Sequence, residues 1–484
     1  MHVTVIGGGL AGMMAALRLA ERGFDVDLYE ADTRLGGKAG AVKHGADFDE
    51  HGYHIFPMWY RNIWKLVDEL GIAGHFADVE DFVQIERGEF PRHKTLTNLG
   101  SARYVFRNLF SGVLPVEEMA LFFYSTLDLM SHRFSYRKFL DQTSVNGFVR
   151  GRFYRTERVA LQHQDLLLKG ISVPSYAVSA MTMRNVLKYW FKYPLPMHRV
   201  LKGNLQQLWI EPIEERMTAL GVKIHLGQRL ERIEVAQGRV TAVHLNGARH
   251  PVERAVVTIP WERLAAILDD DLYRAAPGLF AIRGLNSAAM AALNVYFRGP
   301  VPDMPKDHVN LIGGRYGLSF IDVGQWWPEY RGRTVLNAIS SNFTALESVS
   351  EDVAVREMLN ELFEFIPALR GVEIEKTDFQ RHVNEPLFMN EVGAWHFRPA
   401  AKTELPNLYL AGDYCRNHID LVSMEGAVSA GLLAAEAVRK DASSSRPVEI
   451  LIPDEWPRWM LWILWFLGLP VAALLKLIAK LRAA

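Results

Sequence analysis

Residues 2–30 read HVTVIGGGLAGMMAALRLAERGFDVDLYE, and this stretch decides the fold. His2–Ile6 is a short apolar strand that runs straight into Gly7-Gly8-Gly9. From Leu10 to Arg22 apolar residues recur at Leu10, Met13, Met14, Leu17 and Ala20, which is helical spacing. Gly23 stands where a C-terminal cap is expected, and Asp25–Tyr29 predicts a second strand ending in Glu30. The unit is strand, helix, strand. Gly7, Gly9 and Gly12 fit G-x-G-x-x-G within it. The first glycine permits the tight turn, the second lets backbone approach a pyrophosphate, and the third lets helix pack on strand. The helix N-terminus then faces the phosphate charge. Glu30, eighteen positions past Gly12, is placed to accept hydrogen bonds from a ribose.

Such a cradle serves NAD as readily as FAD, and the residues after Glu30 separate the two. Glu30-Ala31 followed by Arg34-Leu35-Gly36-Gly37-Lys38 resembles the flavin amine oxidase superfamily. In that superfamily the glycine pair and the cation meet the FAD diphosphate. The segment Glu50-His51-Gly52-Tyr53-His54-Ile55-Phe56, with Tyr60 and Asn62 beyond it, resembles the E-x-G-x-H segment of plant- and cyanobacterial-type carotenoid (phytoene and ζ-carotene) desaturases. By that resemblance His54, Ile55 and Tyr60 contact the flavin; a hydrogen-bonded core histidine is the alternative for His54.

Two further segments carry the same resemblance. Leu201-Lys202-Gly203-Asn204, with Pro212-Ile213 and Gly221-Val222, is similar to the family's stretch before its second flavin-contacting strand pair. Leu408–Tyr414 (LYLAGDY) and Ser423–Val428 (SMEGAV) are similar to its closing flap, in which the aspartate meets the ribityl-phosphate region and the Met-Glu-Gly helix start sits by the isoalloxazine. The resemblance thus implies FAD as cofactor, with Gly7, Gly9, Ala11, Gly12, Glu30, Ala31, Gly36, Gly37, Lys38, His54, Ile55, Tyr60, Gly412, Asp413 and Met424 as its contacts. One departure concerns Leu208, which stands where plant phytoene desaturases have arginine; the Leu-Lys-Gly form is nearer the ζ-carotene branch. Cys415 follows Asp413-Tyr414 and reads as a buried thiol rather than a covalent flavin link, since in covalent relatives the cysteine lies well upstream.

The fold class that follows is α/β: a discontinuous Rossmann-like FAD-binding domain (1–58, 200–262 and 400–440) and a mixed α+β substrate lobe (59–199 and 263–399). A linker at 441–455, with Ala442–Pro447 (ASSSRP) at its start, leads to a hydrophobic tail at 456–484. Leu205–Leu220 predicts a helix, and Val222–Leu226, Arg229–Val235, Val240–Leu245, Ala255–Ile259 and Leu408–Ala411 predict strands. The bulk numbers agree with a globular enzyme of two or three lobes, 49% hydrophobic and 23% charged. A formal net charge of −1 argues against a nucleic-acid partner. With one cysteine there is no intrachain disulfide and no cysteine-based zinc site; no metal is expected, and the chain suits a reducing cytoplasm. No signal peptide is read at the N-terminus.

Two features bear on substrate. Leu121–Tyr124 (LFFY) and Tyr189–Tyr193 (YWFKY) suit either a long apolar tunnel or ordinary core packing. Trp459–Leu475 carries no charge, with Lys476, Lys480 and Arg482 after it and Pro470 within it. Its span of about 26 Å falls short of a hydrocarbon core of roughly 30 Å. Tryptophans at 456, 459, 462 and 465 favour a membrane interface, yet an in-plane helix needs a polar face and this one offers none. A membrane-embedded anchor or short re-entrant helix is the expectation, with a helix buried against the substrate lobe or a partner subunit as the alternative. The family resemblance and this tail together imply a membrane-associated FAD-dependent desaturase or dehydrogenase. It would act on a long isoprenoid lipid, and its electrons would pass to a quinone or to O₂. The rivals are a flavin amine oxidase on a soluble amine and a non-catalytic prenyl-lipid-binding protein. His54, Glu425, His418 and Asp420 are the polar groups expected near the flavin; none is assigned as catalytic acid or base, and the oligomeric state is left open.

Overall fold

A strand buried on both faces needs parallel neighbours and helical cover, and His2–Ile6 has both in the computed structural model. The structure describes residues 1–44, 47–50, 52–131, 136–190, 192–193, 195–381, 386–444 and 446–483; His51, Phe191 and Ser445 of the segments above lie outside the described residues. His2–Ile6 is central in a five-stranded parallel sheet of order Lys223–His225, Asp25–Tyr29, His2–Ile6, Ala255–Val257, Leu408–Leu410. Val5 stands beside Leu28 on one side and Val256 on the other, and Val256 beside Tyr409. The carboxyl ends of these strands deliver Gly7, Glu30, Thr258 and Gly412 to one edge, where open α/β sheets take ligands.

The first helix, Leu10–Ala20, is apolar all round because it is covered on both sides, by the sheet and by the helix Met424–Asp441. It ends two residues before the expected Arg22, and Gly23 turns the chain at a φ of 79°. At the helix crossing, a Cβ on Gly431 would stand 2.3 Å from the Ala11 carbonyl oxygen. The helix expected over 205–220 begins as a π turn, Gln206–Ile210, and continues as Glu211–Ala219. The strands expected at 229–235 and 240–245 form Leu230–Ala236 and Arg239–Leu245. A third strand, Ala248–Pro251, completes that antiparallel meander; it carries no apolar alternation and escaped the sequence pattern. Its two turns, Gln237-Gly238 and Asn246-Gly247, have positive φ at both residues, as tight hairpins require.

The rest of the chain builds a seven-stranded sheet and a helical cluster. The sheet runs Ile374–Arg381, Ala291–Phe297, Val335–Ser340, Leu318–Asp322, His308–Ile312, Phe82–Glu86, Lys94–Leu96. Val295, Leu311, Phe320 and Leu336 on one face form a core with the helix Glu351–Phe365. The other face is mixed, with Asn294, Asn310, Ser319 and Asn337 buried beside the apolar Tyr296, Ile321 and Val335, and Asn337 accepts the Tyr53 N–H at 3.1 Å. Helices Val116–Ser131, Glu157–Ile171 and Ala180–Trp190 share another core. Of the two aromatic clusters, Tyr124 lies against the C-terminal helix, and Tyr189 stacks on Trp59 at 5.1 Å.

The C-terminal helix, Arg458–Ala483, is the one helix among the described residues long and apolar enough to cross a membrane. It lies against Val116–Ser131 along one side and exposes the other. The alternative of a helix buried against the lobe therefore holds for one face only.

Gly431→Val tests the helix crossing. The Ala11 carbonyl cannot move aside without breaking the first helix, so destabilisation of about 2 kcal/mol or more is expected in a denaturant titration. A loss under about 0.5 kcal/mol would show that the crossing is looser than its geometry.

Candidate functional site

Two glycine loops form one cradle at the sheet edge. Gly7 has φ of 111°, and a Cβ there would lie 2.6 Å from Thr258 Oγ1. A Cβ on Gly12 would lie 1.9 Å from the Gly7 carbonyl oxygen, so only glycine lets the helix start this close to the strand. In front of Gly9 there is open space, and no side chain caps the helix there, leaving the first-turn amides around Ala11 directed outward. The second loop is bonded onto the first: Gly36 N–H donates to Gly8 O at 2.9 Å, and Gly37 approaches the Gly9 backbone. Gly36 and Gly37 hold φ of 110° and 53°. Glu30 accepts the Gly8 and Asp32 N–H groups, and its own backbone is held by His225 and Gln228, which fixes Ala31 in the turn between them.

Three side chains complete this edge. Lys38 donates to the Pro386 carbonyl, tying the second loop to the strand Leu387–Phe388. Arg34 and Gln206 both crowd Gly40; Arg34 Nε faces Asp32 at 3.9 Å, and neither it nor Gln206 Oε1, both buried, makes a hydrogen bond. A buried donor and acceptor that make no hydrogen bond within the chain are open to a polar ligand or water. The sequence offered Arg34 only as a neighbour of the glycine pair and gave no sign of Gln206.

The second group of residues meets at the start of Met424–Asp441. Ser423 caps that helix by accepting the Gly426 N–H at 3.0 Å. Glu425 is fully buried and accepts Asn62 N–H at 2.8 Å, Asn62 Nδ2–H at 2.7 Å and Ile63 N–H at 3.0 Å. It thereby caps Arg61–Leu70 from outside and brings Tyr60, the residue before that helix, to Ser423, the residue before Met424. Burial pushes the Glu425 carboxyl up to about 8, against these three donors, and raises the Tyr60 hydroxyl. Glu50 is likewise buried, pushed up to about 8, and accepts Leu205 N–H at 2.8 Å. His54 is lowered by burial to about 4 and is neutral at pH 7; donating from Nδ1 to Gly52 O leaves Nε2 as an acceptor. Ile55, half-buried, follows it against the small core of Val79, Ile321 and Trp327.

Gly412 is demanded by Tyr414, whose ring a Cβ would meet at 2.5 Å. The following carbonyls, of Asp413, Tyr414 and Cys415, all accept from Arg398. Arg398 is buried and also pairs with Asp420, which Asn185 Nδ2 meets at 3.1 Å. Sequence reasoning missed Arg398 because nothing local marks it. Of the four polar groups expected near the flavin, Asp420 is this structural ion pair, and His418 is exposed. Cys415 is a buried free thiol, raised by burial. Leu208 packs on Gly203.

The model of the flavin containing amine oxidoreductase family matches residues 10–439. The chain belongs to that family. FAD is its cofactor, and the family's chemistry makes it an FAD-dependent oxidoreductase. It is 26% identical to a 15-cis-phytoene desaturase from Synechococcus elongatus, over 93% of this chain and 99% of that one. It is 32% identical to a carotenoid phi-ring synthase from Chlorobaculum tepidum, over 50% of this chain and 39% of the other. Within the family it falls in the carotenoid-desaturase-like branch. Its fold is shared with an oxidoreductase from Methanosarcina mazei, at TM-score 0.69 and 17% identity, covering 89% of this chain and 99% of that one. The cradle fits FAD: open space at Gly9, uncapped amides, and the open Arg34 Nε and Gln206 Oε1 suit a diphosphate and a hydroxylated chain.

Two measurements check the site's electrostatics. A carboxyl raised in the fold binds a proton that the unfolded chain gives up, so Glu425 removes stability as pH rises from about 4.5 to about 8. Glu425→Gln should cancel that slope, up to about 1.4 kcal/mol per pH unit, when both proteins are denatured across this window. Parallel curves would show that Glu425 is ionised throughout. Arg398→Met leaves Asp420 buried and uncompensated, with an expected cost of about 3–5 kcal/mol that Asp420→Asn partly restores; a cost under about 1 kcal/mol would contradict the pairing.

Proposed function

We propose that this chain desaturates a long isoprenoid lipid of the carotenoid or polyprenyl type, removing hydride from one carbon and a proton from its neighbour. The observation that carries this reading is the end-to-end likeness to a phytoene desaturase, which includes the substrate lobe as well as the cradle. FAD supplies the hydride acceptor at its N5 position. The residues of this chain bind and orient it: Gly7, Gly9, Ala11, Gly12, Gly36 and Gly37 with Arg34 and Lys38 take the diphosphate, and Glu30 with Ala31 the ribose. Asp413 beside Gly412 takes the ribityl-phosphate region, and His54, Ile55, Tyr60 and Met424 the ring system.

Around the ring the chain presents uncharged groups, a neutral His54 and a Glu425 raised to about 8. A dry, neutral surround suits a hydrocarbon and lets the reacting carbon approach closely. No strong base is needed where hydride loss leaves an allylic cation that sheds its proton readily. Residues 59–199 and 263–399 form the substrate lobe, and the enzyme works at a cytoplasmic membrane face, passing electrons to a quinone or O₂.

Anaerobic titration of the purified yellow protein decides the substrate class. A C40 polyene such as phytoene or ζ-carotene, delivered in detergent, is expected to bleach the flavin absorbance, and a quinone to restore it. Bleaching by putrescine or another amine, and by no polyene, would sink the proposal in favour of amine oxidation. Colourless protein that takes up no added FAD would remove the enzyme reading altogether.

A further inference from the structure

The C-terminal helix, Arg458–Ala483, has two long stripes of different character. Leu461, Ala472 and Ala479 are buried against the protein, with Trp465 and Leu469 packed beside them. Gly468 meets the Tyr124 ring so closely that a Cβ would lie 2.9 Å from it. Polar contacts fasten the same side: Tyr124 OH donates to Trp465 O at 3.3 Å, Lys476 to the Arg155 carbonyl, and Arg482 pairs with Glu117 at 2.8 Å. The helix therefore runs antiparallel to Val116–Ser131 and is fixed to it from Trp465 to Arg482.

The opposite stripe faces outward. Trp459, Ile463, Phe466, Leu467, Leu474 and Leu481 are 44–69% exposed, at helical spacing from one end to the other. Returning such side chains to an apolar medium is worth roughly 1.5–3 kcal/mol each when complete, so on the order of 10 kcal/mol is at stake over the stripe. Soluble monomers do not leave a continuous patch of this kind open to water.

A bilayer-spanning position conflicts with the fastened side. Crossing the hydrocarbon core would carry Val116–Ser131 along, and that helix bears Glu117, Glu118 and Asp128. Ionised groups at that depth cost several kcal/mol each. Lying flat incurs no such cost, and the absent polar face is no obstacle: protein, in place of water, covers the inner stripe. Chemistry favours lipid over a second copy of the chain. The helix has no acidic residue, exposes Lys480 near one end and Arg458 at the other, and sets Trp459 and Trp462 on its open side. Cations and tryptophans around an apolar stripe match an anionic headgroup layer.

We propose that Arg458–Ala483 lies in the plane of one leaflet as a lipid-docking surface, its outer stripe among the acyl chains and its inner stripe on the protein. This rests on the surface alone and stands apart from the choice of substrate.

The test uses the full-length flavoprotein with a cysteine introduced singly at Ile463, Leu467, Leu474 or Leu481. Native Cys415 is buried, so a fluorophore reports the new thiol. The protein is bound to vesicles of phosphatidylcholine with phosphatidylglycerol carrying quenchers at shallow or deep acyl positions. All four labels are expected at one shallow depth. Labels that reach the bilayer centre near 467–474, or a Leu481 label accessible only from the vesicle interior, would overturn the proposal in favour of a spanning helix. Labels that no lipid quencher reaches, in protein sedimenting as a dimer, would overturn it in favour of a second copy. The Leu467→Glu/Leu474→Glu double variant should bind the vesicles about tenfold more weakly or worse, with flavin absorbance unchanged; undiminished binding counts against it. Vesicle binding is read without substrate, so failure here and failure of the desaturase reading are separate results.

Discussion

The contact between Gly12 and the Gly7 carbonyl governs the rest of the molecule. It sets how near the first helix begins to the central strand, and so where its uncapped amides point. Once that distance is fixed, Gly36 reaches Gly8, Gly37 reaches Gly9, and Thr258 closes against Gly7 from the neighbouring strand. The approach of Gly431 to Ala11 then seats the last helix of the sheet domain on the first. Most are backbone contacts, which no side-chain rearrangement can relieve, and two of them, Thr258 on Gly7 and Gly431 on Ala11, join segments that lie hundreds of residues apart.

What the sequence revealed follows from this. The strand–helix–strand opening and the paired glycines were legible because their cause is local: periodicity, a turn, a conformation only glycine takes. The parallel strands at 255 and 408 were legible as apolar runs, although their order in the sheet was not. Arg398, Gln206 and the Glu50–Leu205 bond were invisible, since each matters through a partner that no local pattern marks. The tail shows the same limit in a sharper form. Absence of a polar face seemed to forbid an in-plane helix, because the pattern does not say that protein covers one side. The strand Ala248–Pro251 was missed for the opposite reason, as a hairpin exposed on most positions carries no apolar signal.

Several buried groups are held neutral by the fold. His54, His163 and His308 are lowered by burial to about 4, 3 and 3, and Glu50 and Glu425 are raised to about 8. The histidines bind fewer protons folded than unfolded, so they withdraw stability as pH falls below about 6.5; the carboxyls withdraw it as pH rises above about 4.5. The two sets oppose each other across the weakly acidic range. Arg398 is a buried charge satisfied by three carbonyls and Asp420, and it sits where the chain turns from strand to closing flap.

The strand order has a bearing on how the protein is made. His2–Ile6 and Asp25–Tyr29 are synthesised close together, yet the other flank of His2–Ile6 waits for Ala255–Val257, and the sheet's far edge for Leu408–Leu410. Until then an apolar strand with an unpaired edge is held open, a state prone to mispairing. Pairings this distant in sequence are slow to close. The nascent chain must therefore be kept from aggregating until these later strands have been made. The apolar helix Arg458–Ala483 is made after the Met424–Asp441 helix that locks the sheet, when the helix it packs on already exists.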